Sequence, residues 1–201
     1  MSPTQCLVAI TGASGAIYAR GLIERLARLP EMRVLVSATD AGRRLLVDEL
    51  GASVSACDGA FSTWLSLGPA EMGKLEWIPV HEFGAGPMSG SFPLAAMAVA
   101  PCSMRTLGAL ASGLADHVIT RAADVCLKER RPLVIAPRET PLSAIHLENM
   151  LRLTHAGARI VPLCPGFYHR PADISDLVAF MSQKIMEQMG LPVPDAFHWR
   201  A

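Results

Sequence analysis

The chain has 201 residues, 51% of them hydrophobic, and its 18 Lys plus Arg balance 18 Asp plus Glu, which is enough apolar material for one α/β core and too little basic clustering to track a nucleic-acid backbone. No apolar run reaches the roughly 18 residues of a membrane span, and the opening MSPTQCLVAITG carries no basic leader, so the expectation is a cytoplasmic protein without membrane or nucleic-acid partners. The five cysteines (Cys6, Cys57, Cys102, Cys126, Cys164) contain no CxxC pair and the six histidines form neither HxxxH nor HExxH, which predicts reduced, mostly buried thiols and no metal site.

Cys6 to Thr11 reads as a first strand, followed by Gly12-Ala13-Ser14-Gly15-Ala16 and an amphipathic helix to about Arg28. A strand, a glycine turn and a helix make a phosphate-binding arrangement, because small residues let the backbone approach an anion and the helix N-terminus attracts it. The spacing is Gly-x-x-Gly-x-x-Tyr rather than G-x-G-x-x-G, and no Tyr-x-x-x-Lys pair follows, which argues against nicotinamide chemistry. Arg33 to Val36 is a second strand with Ser37 at its carboxyl end. Ser37 either donates to a bound phosphate or N-caps the next helix.

Residues 53–73 are small and weakly periodic, and Leu75 to Val80 is a third strand. His81 to Phe92 is a long, glycine-containing connection of the kind that forms a lid or binding loop. It carries Ser89-Gly90-Ser91 and a lone aromatic, Phe83, a residue type more often found in a core than against a ligand. Ala96 to Ala100 is a fourth strand, ended by Pro101-Cys102-Ser103-Met104-Arg105-Thr106. Ser103 is a natural N-cap for a helix to about Ser112-Gly113, and the N–H groups of Met104 to Thr106 would face an anion above the sheet.

Arg121 to Met150 is the densest stretch. Pro132 to Ala136 is a buried parallel strand. Before it, Arg121, Asp124 and Lys128 fall on one face of a helix; after it, Pro137-Arg138-Glu139-Thr140-Pro141 is a stiff turn at the strand's carboxyl end. Read blandly, these are a solvated helix and a surface turn. Arg159 to Leu163 is a last strand, followed by Cys164-Pro-Gly-Phe167-Tyr168-His169 and an amphipathic helix from Asp173 to Gly190 that contains Lys184. The tail, 191–201, with Phe197 and Trp199, is too short to fold alone and is expected to pack on the body or on a neighbour.

These elements predict a single α/β domain over 1–201, a doubly wound parallel sheet with helices on both faces. The turns after successive strands would meet on one rim, bringing together Ser14, Ser37, Ser103 to Thr106, Arg138-Glu139 and Tyr168. Hydroxyl and N–H donors suit a phosphate that stays bound. The cations Arg121, Lys128, Arg138 and Lys184, with Tyr168, suit one that leaves. Two such sites point to transfer between a phosphorylated cofactor and a phosphorylated donor. Ten methionines and a charged fraction of 18% fit burial between subunits or plain core packing equally well.

The GASGAIYA turn, the SGS segment at 89–91, PCSxxTL at 101–107 and RAADVCLKERRPLV followed by PRETPLSAIHLENM resemble the UbiX-type flavin prenyltransferases, formerly described as aromatic acid decarboxylases, from Thr11 to Trp199. The resemblance implies a Rossmann-like flavoprotein that alkylates reduced FMN with dimethylallyl monophosphate, at N5 and then C6, making prenylated FMN for a UbiD-type decarboxylase. It implies FMN contacts from Gly12, Ala13, Ser14, Ser37, Ser89, Ser103, Met104, Arg105, Thr106, Arg121 and Arg138, and donor contacts from Lys128, Arg138, Tyr168 and Lys184. Ser14, Glu49, Lys128, Glu139 and Trp199 would be catalytic, without a metal, in a homo-oligomer that is commonly dodecameric, with sites at subunit junctions where Phe83 or Trp199 serves a neighbour. The chain departs from the pattern at Lys184, where the family has arginine, and carries about two extra residues between Ser37 and Glu49, which leaves Asp48 as a competing acid. An FMN-dependent cysteine-type decarboxylase, whose Asn-containing turn is missing here, and a flavin carrier without chemistry are the alternatives.

Overall fold

The structure, a computed structural model, describes residues 3–53, 61–194 and 196. Six strands, β1 (Thr4–Ile10), β2 (Met32–Ala38), β3 (Leu75–Trp77), β4 (Leu94–Cys102), β5 (Leu133–Pro137) and β6 (Arg159–Ile160), form one sheet in the order 3-2-1-4-5-6, every adjacent pair parallel. The helices are α1 (Ala16–Arg28), α2 (Asp40–Leu50), α3 (Pro69–Met72), α4 (Met104–Ala111), α5 (Val118–Lys128), α6 (Ala144–His155) and α7 (Ile174–Met189). None is long and apolar enough to cross a membrane.

Strand alternation divides the apolar residues between two layers. Cys6, Val8 and Ile10 of β1, with Ala96, Ala98 and Ala100 of β4 and Val134 and Ala136 of β5, face the layer built from α1, α2 and α7. Leu7 and Ala9, with Met97, Val99, Leu133 and Ile135, face α4, α5 and Leu153 of α6. The alanine row on β4 leaves a low surface into which Leu22, Ile23 and Leu26 of α1 pack, all fully buried. Both faces of the central strands are therefore apolar, and the sequence reads there as continuous runs rather than alternation.

Two strands are shorter than their apolar runs. Ile78 still donates to the Val36 carbonyl (2.8 Å), and Val161 and Leu163 to Ile135 and Pro137 (2.8 and 3.0 Å), but Pro79 and Pro162 lack the N–H needed to continue the ladder. Ser37 is not a helix cap. It is buried inside β2, and Thr39 caps α2, its side chain accepting the Gly42 N–H at 3.1 Å.

The chain leaves β1 toward β2 and leaves β4 toward β5 on the opposite side. The turns after these central neighbours diverge and open a crevice at the carboxyl edge, the usual ligand position in such sheets.

Candidate active site

Thr11, fully buried at the end of β1, ties the two diverging turns together. Its Oγ1 donates to the Pro101 carbonyl (2.9 Å) and accepts the Ser103 N–H (2.7 Å). Above this tie lies a cavity of about 320 Å³ whose walls include Gly12, Thr39, Asp40, His81, Ser103, Arg105, Thr106, Asp116, His117 and Thr120. Thr39, Ser103 and His117 are the N-caps of α2, α4 and α5, so three helix N-termini open onto one space. Each brings backbone N–H groups without carbonyl partners and the positive end of a helix dipole. Arg105 adds a formal charge. The donor set fits a phosphate. Ser37, two residues before the Thr39 cap and not itself a wall of this cavity, has a buried Oγ with no hydrogen-bond partner within the protein, a deficit worth about 1–3 kcal/mol unless a ligand fills it.

Beside the cavity, the glycine turn works differently from the phosphate cradle expected of it. Glu49, in the last turn of α2, reaches the start of α1 and accepts the N–H groups of Gly15 (2.9 Å) and Ala16 (2.7 Å). The anion at this helix N-terminus is the protein's own carboxylate, which leaves only the Gly12 end of the turn for a ligand. Arg138, at the end of β5, donates from Nε to the Ser14 carbonyl at 2.8 Å. Partial burial pushes the Glu49 carboxyl up, but hydrogen bonds from the Ser14 side chain, Gly15 and Ala16, together with the Arg138 charge, hold it below the usual carboxylate value. Glu49 rather than Asp48 is thus the acid that meets Ser14. Glu139 is exposed and accepts the Thr140 N–H at 3.0 Å.

Tyr168 and Lys184 also meet, around Phe180. The tyrosine ring stands edge-on to Phe180 at 5.6 Å and the Lys184 Nζ lies 5.8 Å from the same ring. Lys184 pairs with Glu187 at 2.9 Å and, with Phe180, Cys164 and Gly166, lines a hollow of about 650 Å³ along β6. That hollow flanks the rim; Arg138 is not among its walls.

Two expected members, Lys128 and Ser89, lie elsewhere. Lys128 ends α5, which runs back from the rim toward the start of β5, so its Nζ sits by Gly90 and pairs with Glu129 at the amino edge of the sheet. Ser89 is there too, because Arg131 holds the carbonyls of Gly90 and Phe92 (2.6 and 2.7 Å) just ahead of β4. Arg121 is in the first turn of α5, beside the cavity-lining Thr120, and is paired with Asp124 at 2.5 Å, while Lys128 turns to Glu129 instead of joining them. Phe83 is 65% exposed. Phe197 and Trp199 lie outside the described residues. Cys6, Cys102 and Cys126 are buried as expected, whereas Cys164 is exposed, and Cys57 is also outside the described residues. Thr11, Thr39, Asp40, His81, Asp116 and His117 were not singled out by the sequence. For Thr39 a signal existed: a threonine followed by Asp40 is an ordinary helix start.

An open α/β sheet with helix N-termini gathered at its switch point, beside a carboxylate that meets a serine side chain and a guanidinium bonded to that serine's carbonyl, has the make-up of a nucleotide-binding protein. The Flavoprotein family profile matches residues 1–186. The flavin prenyltransferase UbiX of Methanothermobacter thermautotrophicus is 43% identical over 185 residues, 92% of this chain and 90% of that one. Among solved structures, AnUbiX (PadA1) in complex with FMN and dimethylallyl pyrophosphate superposes with a TM-score of 0.84 at 34% identity, covering 99% of this chain and 98% of that one. A dodecameric FMN-dependent UbiX-like decarboxylase from Escherichia coli O157:H7 gives 0.83 at 33% identity, covering 98% and 100%. The chain therefore belongs to the flavoprotein family and, within it, to the UbiX flavin prenyltransferases.

Proposed function

We propose that the protein transfers the dimethylallyl group of dimethylallyl monophosphate to N5 and C6 of reduced FMN, and that the prenylated flavin passes to a UbiD-type decarboxylase in the cytoplasm. The observation that carries this reading is the contact chain Glu49–Ser14–Arg138, built on the same glycine turn whose Gly12 is a wall of the cavity of helix N-termini. Retention of one phosphate and chemistry on a second charged group then take place side by side.

In this reading Gly12, Ala13, Ser37 and the turn from Ser103 to Thr106 hold the flavin nucleotide, with Arg105 adding charge. The reduced flavin supplies the nucleophilic ring atoms. Arg138, fixed by its bond to the Ser14 carbonyl, reaches toward the donor phosphate, and Tyr168 and Lys184 receive that phosphate as it departs, a preorganised set of donors in place of a metal. Departure leaves an allylic cation, which aromatic faces such as Trp199 and Phe83 would shield from water. Ser14, held by ionised Glu49, positions and relays protons near the reacting nitrogen, and Glu139 takes part in proton transfer at the rim. Lys128 and Ser89 are a sheet's length away in their own chain and are read as serving the site of an adjacent copy, as Trp199 and Phe83 would. The dodecameric E. coli relative supports that reading.

The test is mass spectrometry of the flavin after anaerobic incubation with reduced FMN and dimethylallyl monophosphate. A flavin heavier by one prenyl unit is expected. FMN returned unchanged would refute the proposal, and oxidation of a cysteine-terminated peptide with loss of carbon dioxide would move the chain to the decarboxylases that share its fold.

A further inference from the structure

One wall of the switch-point cavity is made by a residue that no part of the flavin reading uses. His117 begins α5 in a reciprocal capping box: its Nδ1 accepts the Thr120 N–H at 3.3 Å, and the Thr120 Oγ1 accepts the His117 N–H at 3.2 Å. Because Nδ1 is committed as an acceptor, the hydrogen-bond network assigns the neutral ring its proton on Nε2. Any hydrogen bond from the imidazole to a guest in the cavity therefore comes from Nε2.

We propose that His117 positions the flavin phosphate and tightens its grip on protonation, so that FMN uptake draws a proton onto the imidazole. The inference rests on the flavin reading and adds to it a residue and a pH dependence. In the ligand-free protein several groups oppose the imidazolium. Burial disfavours it, a second N–H on Nδ1 would point at the Thr120 N–H, and His81 from the β3–β4 connection and Arg105 from α4 repel it. Asp116, whose Oδ1 is 3.8 Å from Nε2, favours it, and Asp40 on α2 is the remaining charged group on the cavity wall. The balance, burial foremost, leaves His117 below the ordinary imidazole value. A phosphate monoester brings about −1.5 to −2 charges to the same wall and reverses that balance. Between the lowered free value and the raised bound value, binding takes up a proton, and affinity rises as pH falls through that window.

The measurement is quenching of FMN fluorescence by the full-length protein from about pH 8 to about pH 6, the range over which imidazole titrates. It compares wild type with His117→Asn, which caps a helix well but does not titrate. The ratio of the two FMN affinities should grow about tenfold toward the acid end, the effect of roughly one pKa unit of coupling. Riboflavin, which lacks the phosphate, should show no such growth, and the variant comparison cancels the phosphate's own ionisation. Superposed pH curves, or the same growth with riboflavin, would overturn the inference. Should the variant fail to fold, the ring resonances of His117 in the wild type give the answer directly: the titration midpoint rises with FMN if the inference holds and stays put if it does not. Absence of FMN uptake by the wild type at every pH would remove the flavin reading and this inference together.

Discussion

Glu49→Gln is the most direct test of the way α1 is anchored. The carboxylate accepts two backbone N–H groups, at 2.9 and 2.7 Å, on the first turn of that helix. A hydrogen bond to a charged group contributes about 1.5–3 kcal/mol when buried, and roughly half of that for an exposed side chain such as this one. Both N–H groups are accepted by one oxygen, Oε2, which a glutamine amide oxygen can replace; the substitution loses the charge and turns an NH2 toward the Gly15 N–H where Oε1 stood 3.2 Å away, and should cost about 1–2 kcal/mol at neutral pH. In a chain of 201 residues that corresponds to a fall in melting temperature of roughly 2–8 °C. The pH dependence follows from the depressed carboxyl. Wild-type stabilisation is fully present above the usual value of 4.5 and is lost as pH falls through the lower folded value. Thermal unfolding of the two proteins should therefore differ at pH 7 and converge in acid. Equal stability at pH 7, or a gap that persists once the carboxyl is protonated, would show that Glu49 does not anchor the helix as an anion.

Arg138→Lys keeps the charge but loses the Nε–H that reaches the Ser14 carbonyl, so turnover should fall at least about tenfold with a smaller change in FMN affinity; parallel losses would assign Arg138 to cofactor binding alone. Glu139→Gln should retain FMN yet stall turnover, and wild-type rates in that variant would remove Glu139 from the mechanism. Gly21→Ala would put a Cβ 2.3 Å from the Val178 Cγ1 and 3.2 Å from the Ser182 Oγ, overpacking the α1–α7 contact at about 1–3 kcal/mol. Urea unfolding measures that loss, and none would mean the two helices move apart freely.

The sheet was legible because its central strands are buried on both faces and their β-branched and alanine runs end at prolines or glycines. Ser103 was legible as a cap because it directly precedes a helical pattern, and the hydrogen bond from the Thr106 N–H to its Oγ bears this out. Ser37 could not be assigned from sequence: a serine after a strand suits a cap as well as a ligand, and only the neighbouring Thr39, two residues on, separates the cases. Glu49 depended on tertiary docking, since nothing local says that the end of α2 lies over the start of α1. Lys128 is more instructive. It was grouped with Arg138 by charge and by the resemblance, but α5 leads into β5, so its last turn must lie at the amino edge. Eleven residues beyond the His117 cap, at 1.5 Å each, put it roughly 16 Å down the helix. Element order alone contained that answer.

The two kinds of anion work are assigned to two kinds of donor. Helix N-termini cannot swing away and do not titrate, which suits a phosphate that stays through turnover. The cations Arg138 and Lys184 and the hydroxyl of Tyr168 sit on long or exposed side chains, which suits a phosphate that must be gripped as its charge grows and then released. Lys184 illustrates the difference. Its ammonium already has a carboxylate partner in Glu187, itself held by Gln183 at 2.7 Å. A guanidinium paired there would still have three of its five N–H donors for a phosphate in a fixed planar fork, whereas an ammonium has three donors around a point charge and can keep Glu187 while donating singly to a phosphate oxygen. On the proposed reading, lysine at this position receives the phosphate without a bidentate grip, and a weaker hold on the departing group favours its release.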